Sequence, residues 1–476
     1  MGRKEGISRT IVKSMGLFGG VQIANILCAI IRTKLVAVWI GPAGIGLFSL
    51  FNNAAEMVSS ITSLGIRNSA VRDVAVAAES HDALRLGRVI AVIKRWSWFV
   101  SIFGAAVMIA IAPLLSDFTF GSYSRTWDFI LLSCVLMFYG LVNGEQTILQ
   151  GVSSLRRLAH ASVWGVAAGL LVSIPLFYFW GIDSIVTSIV LYQAMLLLFT
   201  WIFRHKDYEC VKLSAKEAFT EGKEFVKLGI FLTLSGFITT LFSYAFSVYL
   251  NRTAGTAEVG FFQAGYTLVN KYVGLIFTAI GMEYYPRLAR IHNSRMRMRV
   301  FVSQEINISV LVLMPIVALF VLLREVMVSV LYSGEFSVIV HYISWAIAGS
   351  FFRAYSWCMA FVVLAKGDGR TYLTMETASA VFGFVLNVLF YHYWGLTGLG
   401  VSNVVWYFLY CIIVGGVYFR KYRFSISLSA TVLTAVAFVV SAAVVVLVDA
   451  GLLVAAIVCF VLVAFLCLRR IVKIVK

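Results

Sequence analysis

Charge is the scarcest property of this sequence. Only 13% of its 476 residues are Asp, Glu, Lys or Arg, while 61% are apolar; a soluble domain carries about 25% charged residues. Proline is nearly absent, at five residues, which argues against a loop-rich soluble fold. The seven cysteines are scattered at 28, 134, 210, 358, 411, 459 and 467 without a C-x-x-C, so neither a disulfide framework nor a thiolate metal site is expected. There is no Walker A sequence, no Ser/His/Asp pattern and no cluster of metal ligands. The G-x-x-G-x-G that starts at Gly41 lies between two apolar runs and not after a strand, so it is no dinucleotide fingerprint. Segments of about ten alternating residues, the mark of a membrane barrel, are missing. Catalysis, cofactor binding and ATP hydrolysis by the chain itself therefore have no support.

Present instead are apolar runs of about twenty residues along the whole length. In lipid a backbone must satisfy its own polar groups, so such runs are helices. Spans are expected near 12–38, 43–66, 96–115, 127–150, 158–179 and 182–203, then 225–250, 257–282, 304–325, 338–365, 371–393 and 396–419, and finally 428–448 and 450–468. The basic, apolar start resembles a signal peptide but is too long and carries Gln22 and Asn25, so a retained first helix is expected. The net charge of +17 belongs to the gaps between spans and is read as topology, not as a nucleic-acid surface. With fourteen spans, 32 of the 39 Lys and Arg share the side of both termini; Arg125, Arg252 and Arg324 fall on the other, and Arg32, Lys34, Lys271 and Arg353 lie inside spans. That asymmetry predicts both termini in the cytoplasm. The loop 67–95, with Leu86, Val89, Ile90 and Ile93, is expected to lie as an amphipathic helix on the inner leaflet.

The chain also repeats itself. Gly41–Phe48 matches Gly255–Phe262 at a shift of 214, as does Phe179–Ile182 with Tyr393–Leu396, and Gly151 and Gly367 stand 216 apart. The expected architecture is all-α: two parallel six-helix bundles, 1–210 and 211–424, followed by a two-helix extension, 425–476. Parallel repeats facing each other are the usual basis of alternating access.

The segment Leu35-Val36-Ala37-Val38-Trp39-Ile40-Gly41-Pro42-Ala43-Gly44-Ile45-Gly46-Leu47, with Ser63-Leu64-Gly65-Ile66 and Tyr332-Ser333-Gly334-Glu335-Phe336, resembles the Wzx-type polysaccharide flippases of the multidrug/oligosaccharidyl-lipid/polysaccharide exporter superfamily. The resemblance covers residues 10–420 and is structural more than chemical. It implies two six-helix lobes in a bacterial inner membrane that pass an undecaprenyl-diphosphate-linked oligosaccharide to the outer leaflet, driven by an ion gradient or membrane potential, with no cofactor. It implies membrane lipids and other polysaccharide-assembly proteins as partners. Related peptidoglycan-precursor flippases line their cavity with basic residues on helices one, two and eight. Here helix one has Arg32 and Lys34 and helix eight has Lys271, but helix two departs from the pattern and carries Glu56.

A charge at a helix centre costs roughly 2.5–3.5 kcal/mol on insertion scales and normally faces a wet cavity or a partner. Gln22, Asn25 and Arg32 share one helical face, and Arg32 could hold a diphosphate by paired hydrogen bonds; an interhelical contact is the plainer reading. Asn270 and Lys271 belong to a second polar stripe, and Arg353 is a further candidate for the substrate path. Glu56, the repeat equivalent of Asn270, could titrate during transport or sit in an ion pair with Arg32 or Lys271. Glu145 and Glu376, toward cytoplasmic helix ends, are candidates for ion coupling or simple interfacial solvation. A small-molecule exporter of the same superfamily and a membrane polysaccharide polymerase remain alternatives; the first should favour cavity carboxylates, and the second needs reactive outer loops that this chain lacks.

Overall fold

In a computed structural model of the chain, the backbone is described for residues 2–475 apart from 64–65, 81, 209–210, 212, 292 and 424. Side chains are described from residue 20 onward, except at those positions and at 66–69, 215, 222–230, 232, 271–272, 275, 278–279, 282 and 473–476. The described residues form sixteen α-helices and no strand. They are α1 (Gly2–Trp39), α2 (Gly41–Thr62), α3 (Ile66–Glu79), α4 (Ala83–Phe120), α5 (Thr126–Gly151), α6 (Leu155–Trp180), α7 (Ile185–Ile202), α8 (Ala215–Ala254), α9 (Thr256–Tyr266), α10 (Val273–Arg290), α11 (Arg295–Leu331), α12 (Val340–Ala348), α13 (Ser350–Ala365), α14 (Gly369–Val417), α15 (Leu428–Asp449) and α16 (Leu453–Val475). The chain is an all-α membrane protein.

Among the described residues, nine helical stretches are long and apolar enough to cross a membrane, and α12–α13, bent by 42°, is a tenth candidate. Two of the nine far exceed the roughly 20 residues of one crossing: Leu155–Ile202 has 48 residues and Gly369–Tyr422 has 54. Each contains a glycine at positive φ, Gly181 at 52° and Gly395 at 58°. Beyond Gly395, α14 folds back on itself, and Ser402 donates to Asn387 at 2.6 Å and Trp406 Nε1 to Ser379 at 3.0 Å.

The repeat is written into the backbone. Left-handed residues pair at the same shift of 214: Gly41 with Gly255 (φ 80° and 92°), Ser153 with Gly367 (56° and 70°), and Gly181 with Gly395. A side chain at φ > 0 is strained, so glycine is the default at such helix ends. The middle pair revises the landmark at Gly151. That glycine ends α5, and a Cβ there would collide with Val74; the chain reversal itself sits on Ser153.

By packing, the chain divides into two compact units, Met1–Val259 and Gly260–Lys476. The division at 210/211 follows the sequence repeat, whereas packing follows the contacts of α8. Within the first unit Asn53 donates to Ser247 (3.3 Å), Asn251 to the Thr119 carbonyl (2.8 Å), and Ser60 and Thr240 share a hydrogen bond at 3.0 Å. A capping box at Ser214 and Glu217 starts α8, and Phe219 stacks on Trp96 with ring centroids 4.6 Å apart.

One local expectation changes. Residues 86–93 do not lie flat as a surface helix. They begin α4, and Ile90 and Ile93 are buried in a small core with Val74, Trp96 and Ile148. Helices approach closely at Gly140 and Gly144 of α5, where a Cβ would collide with Ser101 and Ser97 of α4. That is the small-xxx-small packing that membrane helices favour.

In the second unit a polar clasp closes the turn before α14. Asp368 accepts from Lys421, from the Thr371 N–H (3.3 Å) and from the Tyr422 hydroxyl (3.0 Å). Burial works to raise this carboxyl, but the hydrogen bonds from Lys421, Thr371 and Tyr422 outweigh it and hold the pKa at about 2. The folded value lies below the usual aspartate range of about 3.9, so the stabilisation is present above that range and is lost as pH falls through 2. Asp368→Asn, which keeps the helix cap, should lower stability by about 1–2 kcal/mol at neutral pH. Thermal unfolding in detergent should show the gap closing near pH 2; a gap independent of pH would refute the linkage.

Candidate substrate path

The first unit holds its buried cation on aromatic faces. Arg32 lies in α1 about seven residues before Trp39, the last residue of the helix, a depth of roughly 11 Å at 1.5 Å per residue. Its guanidinium stands 4.7 Å from the Phe48 ring of α2 and 4.1 Å from the Tyr192 ring of α7. A desolvated contact of this kind contributes about 2 kcal/mol. Among the described residues no carboxylate pairs with Arg32. Tyr192 gets this close because Gly169 of α6 leaves room for it: a Cβ at 169 would run into the Tyr192 ring. The other polar residues of α1 part ways. Asn25 is committed to packing, with its Nδ2 donating to Ser162 of α6 at 3.0 Å, whereas Gln22 is exposed.

Glu56 of α2 is exposed and has no hydrogen bond or ion pair among the described residues, so the pair with Arg32 is not formed. Its neighbours are engaged locally: Asn52 donates to the Phe48 carbonyl at 2.6 Å, and Asn53 reaches Ser247. Glu145 of α5 is mostly buried and pairs with Lys94 of α4 at 3.5 Å. Lys94 also donates to the Tyr208 hydroxyl at 2.6 Å.

The second unit repeats the device with different helices. Arg353 of α13 donates to Asn270 Oδ1 at 2.6 Å and lies 5.3 Å from the Phe277 ring and 5.7 Å from the Tyr407 ring. Asn270 sits in a π-helical stretch, Thr267–Tyr272, the kind of bulge that re-aims side chains at functional sites. Lys271 lies outside the residues whose side chains are described. Glu376 of α14 accepts a hydrogen bond from Tyr410. Tyr192 and Tyr407 stand 215 apart in the sequence, close to the repeat shift. Each unit thus sets an arginine against the tyrosine of a corresponding helix, although the arginines come from non-equivalent positions. Among the described residues, no three His, Cys, Asp or Glu are arranged to hold a metal.

The ring partners Phe48, Tyr192, Phe277 and Tyr407 are not distinguishable in the sequence among 37 Phe, 21 Tyr and 11 Trp. The spacing of Tyr192 and Tyr407 is the one signal that could have drawn attention to two of them.

This arrangement of repeated helical bundles places the chain in a known structural class. The fold matches that of a lipid II flippase, MurJ, in an inward closed conformation, with a TM-score of 0.65, 11% identity, and coverage of 96% of this chain and 99% of that one. It also matches an inward-facing multidrug resistance MATE transporter of the MOP superfamily, with a TM-score of 0.66, 14% identity, and coverage of 86% and 96%. The fold is therefore that of the MOP superfamily. Residues 35–341 match the polysaccharide biosynthesis protein family, and the chain belongs to it. Lipid III flippases of Escherichia coli K12 and Shigella flexneri are each 22% identical over 397 residues, 81% of this chain and 92% of the relative.

Proposed function

We propose that this protein is a flippase that moves an undecaprenyl-diphosphate-linked oligosaccharide, an O-antigen, common-antigen or exopolysaccharide repeat unit, from the inner to the outer leaflet of the bacterial inner membrane by alternating access. The observation that carries the reading is the ring-backed guanidinium of Arg32, which has no carboxylate partner among the described residues. A cation kept at that depth without an anion calls for an anionic ligand, and a planar guanidinium suits the paired oxygens of a phosphate. Arg353, held in place by Asn270, offers a second such group in the other unit. The family membership and the lipid III flippase relatives support the same substrate class. Gln22 and Lys271 complete the proposed path. Both termini lie in the cytoplasm on the charge asymmetry, and other polysaccharide-assembly proteins hand on and receive the cargo. The protein performs no covalent chemistry.

Coupling to an ion gradient or to the membrane potential falls to Glu56. Of the three candidate carboxylates it alone has no partner among the described residues, since Glu145 pairs with Lys94 and Glu376 accepts from Tyr410. A leaflet-sidedness assay in proteoliposomes with defined lipid-linked sugars tests both points. The wild type should translocate the lipid-linked oligosaccharide and not small organic cations. Glu56→Gln should abolish the dependence of rate on the ion gradient and leave about a tenth or less of the driven rate. Full flipping with unchanged ion dependence in Glu56→Gln would remove it from the mechanism, and export of organic cations alone would favour a drug exporter.

A further inference from the structure

Away from Arg32, the first unit contains a cavity of about 590 Å³ walled by α4, α5 and α7. Its volume is that of a small-molecule site. One end is polar, with Lys94, Glu145 and Arg204; the remainder is apolar, with Met137, Phe138, Leu141 and Leu197 among its walls. Trp98 and Trp201 line it as well and are half exposed, at 50% and 54%. Tryptophan prefers the boundary between lipid tails and headgroups. The basic residues beside it belong to the side assigned to the cytoplasm.

The charges at the polar end are incompletely matched. Lys94 Nζ lies 3.5 Å from Glu145 Oε1. The other carboxylate oxygen, Oε2, is buried and has no hydrogen-bond partner. Arg204 rests on the Trp201 ring at 4.5 Å, and among the described residues no carboxylate pairs with it. Two cations against one carboxylate leave the pocket with one uncompensated positive charge and one buried acceptor in need of a donor.

We infer that this cavity binds an anionic glycerophospholipid of the phosphatidylglycerol type, with its phosphodiester on Lys94 and Arg204 and a headgroup hydroxyl donating to Glu145. A phosphodiester carries the one negative charge that neutralises the pocket. The glycerol hydroxyls supply the donor that Glu145 Oε2 lacks. The apolar walls between Trp98 and Leu197 take the start of an acyl chain. An ethanolamine headgroup is a zwitterion and leaves the pocket positive. Phosphatidic acid brings charge without the headgroup hydroxyl. A diphosphate brings more negative charge than this pocket offsets, and the pocket is lined neither by Arg32 nor by its ring partners Phe48 and Tyr192. The inference stands on the pocket alone and does not rest on the transport reading.

Native mass spectrometry of the full chain tests it, with phosphatidylglycerol, phosphatidylethanolamine and phosphatidic acid of identical acyl chains. The wild type should retain phosphatidylglycerol with roughly tenfold preference over both others, and Arg204→Gln should lower that retention by about tenfold. Glu145→Ala should lose the preference for phosphatidylglycerol over phosphatidic acid while still holding anionic lipid. Arg204 sits at the polar rim, so Arg204→Gln remains decisive even where Glu145→Ala does not fold. Equal retention of phosphatidylglycerol and phosphatidylethanolamine by the wild type would overturn the proposal, as would retention unaffected by Arg204→Gln. Displacement of phosphatidylglycerol by equimolar undecaprenyl diphosphate would reassign the pocket to the lipid carrier.

Discussion

Arg32→Ala is expected to reduce translocation of lipid-linked oligosaccharide by roughly 10–100-fold while the protein stays folded. The magnitude follows from removing hydrogen bonds to a charged group, worth about 1.5–3 kcal/mol, with each 1.4 kcal/mol a factor of ten. The fold should survive because Arg32 forms no ion pair among the described residues: it rests on Phe48 and Tyr192, and alanine costs nothing on insertion. Arg32→Lys separates charge from shape. Lysine keeps the cation but loses the planar fork and its stacking on the rings, so an intermediate rate is expected. Tyr192→Leu should fall between wild type and Arg32→Ala, because the ring positions the guanidinium and does not replace it. A proteoliposome sidedness assay, paired with gel filtration and thermal unfolding of each variant, measures both terms. Wild-type flipping by Arg32→Ala would end the proposed path.

A second large effect concerns stability. Arg324 of α11 is almost fully buried, with a side-chain exposure of 4%. Its Nη2 donates to Asp449 at 2.5 Å and its Nη1 to Ser344 at 2.9 Å. Asp449 is the last residue of α15, just before the turn at Gly451 (φ 75°), and His341 stands 3.5 Å from the same carboxylate oxygen. The pair therefore pins the α15–α16 turn against α11 and α12. Asp449→Ala strands a buried guanidinium, which costs about 3–5 kcal/mol for fully buried pairs. Asp449 keeps some exposure, so the low end, about 3 kcal/mol, is expected, or a fall in Tm of about 3 °C for a chain of this length. The double replacement Arg324→Met with Asp449→Leu removes both charges and should recover most of the loss. Thermal unfolding of the two variants checks the pair. A single mutant as stable as the wild type, or a double mutant worse than the single, would contradict it.

The same residue shows what a linear reading misses. Counting Arg324 among outer-side charges is blind to its burial. Lys94 likewise counts as a topology charge, yet it is the partner of Glu145 and lines a cavity. His341 looks isolated until α15 brings Asp449 to it. In each case the partner lies more than 50 positions away, or on a helix whose rotation hydropathy does not report. Glu56 is the converse case: its sequence setting suggests an ion pair with Arg32, and the structure leaves it exposed with aromatic rings occupying that cation. The amphipathic pattern at 86–93 was legible, but the apolar stripe found protein and not lipid, because α3 and the start of α8 cover it.

The sequence by itself determined that the chain is helical, polytopic and duplicated, and that Arg32, Glu56 and Arg353 are exceptional. Each of these rests on local physics: the transfer cost of charges into hydrocarbon, the internal hydrogen bonding a lipid-embedded backbone requires, and glycine's tolerance of left-handed turns at a constant spacing. Only the tertiary structure decided which charges are paired, which rest on rings and which stand free. Those outcomes depend on the rotation and crossing of helices far apart in the chain, and side-chain packing selects them without leaving a periodic trace in the sequence.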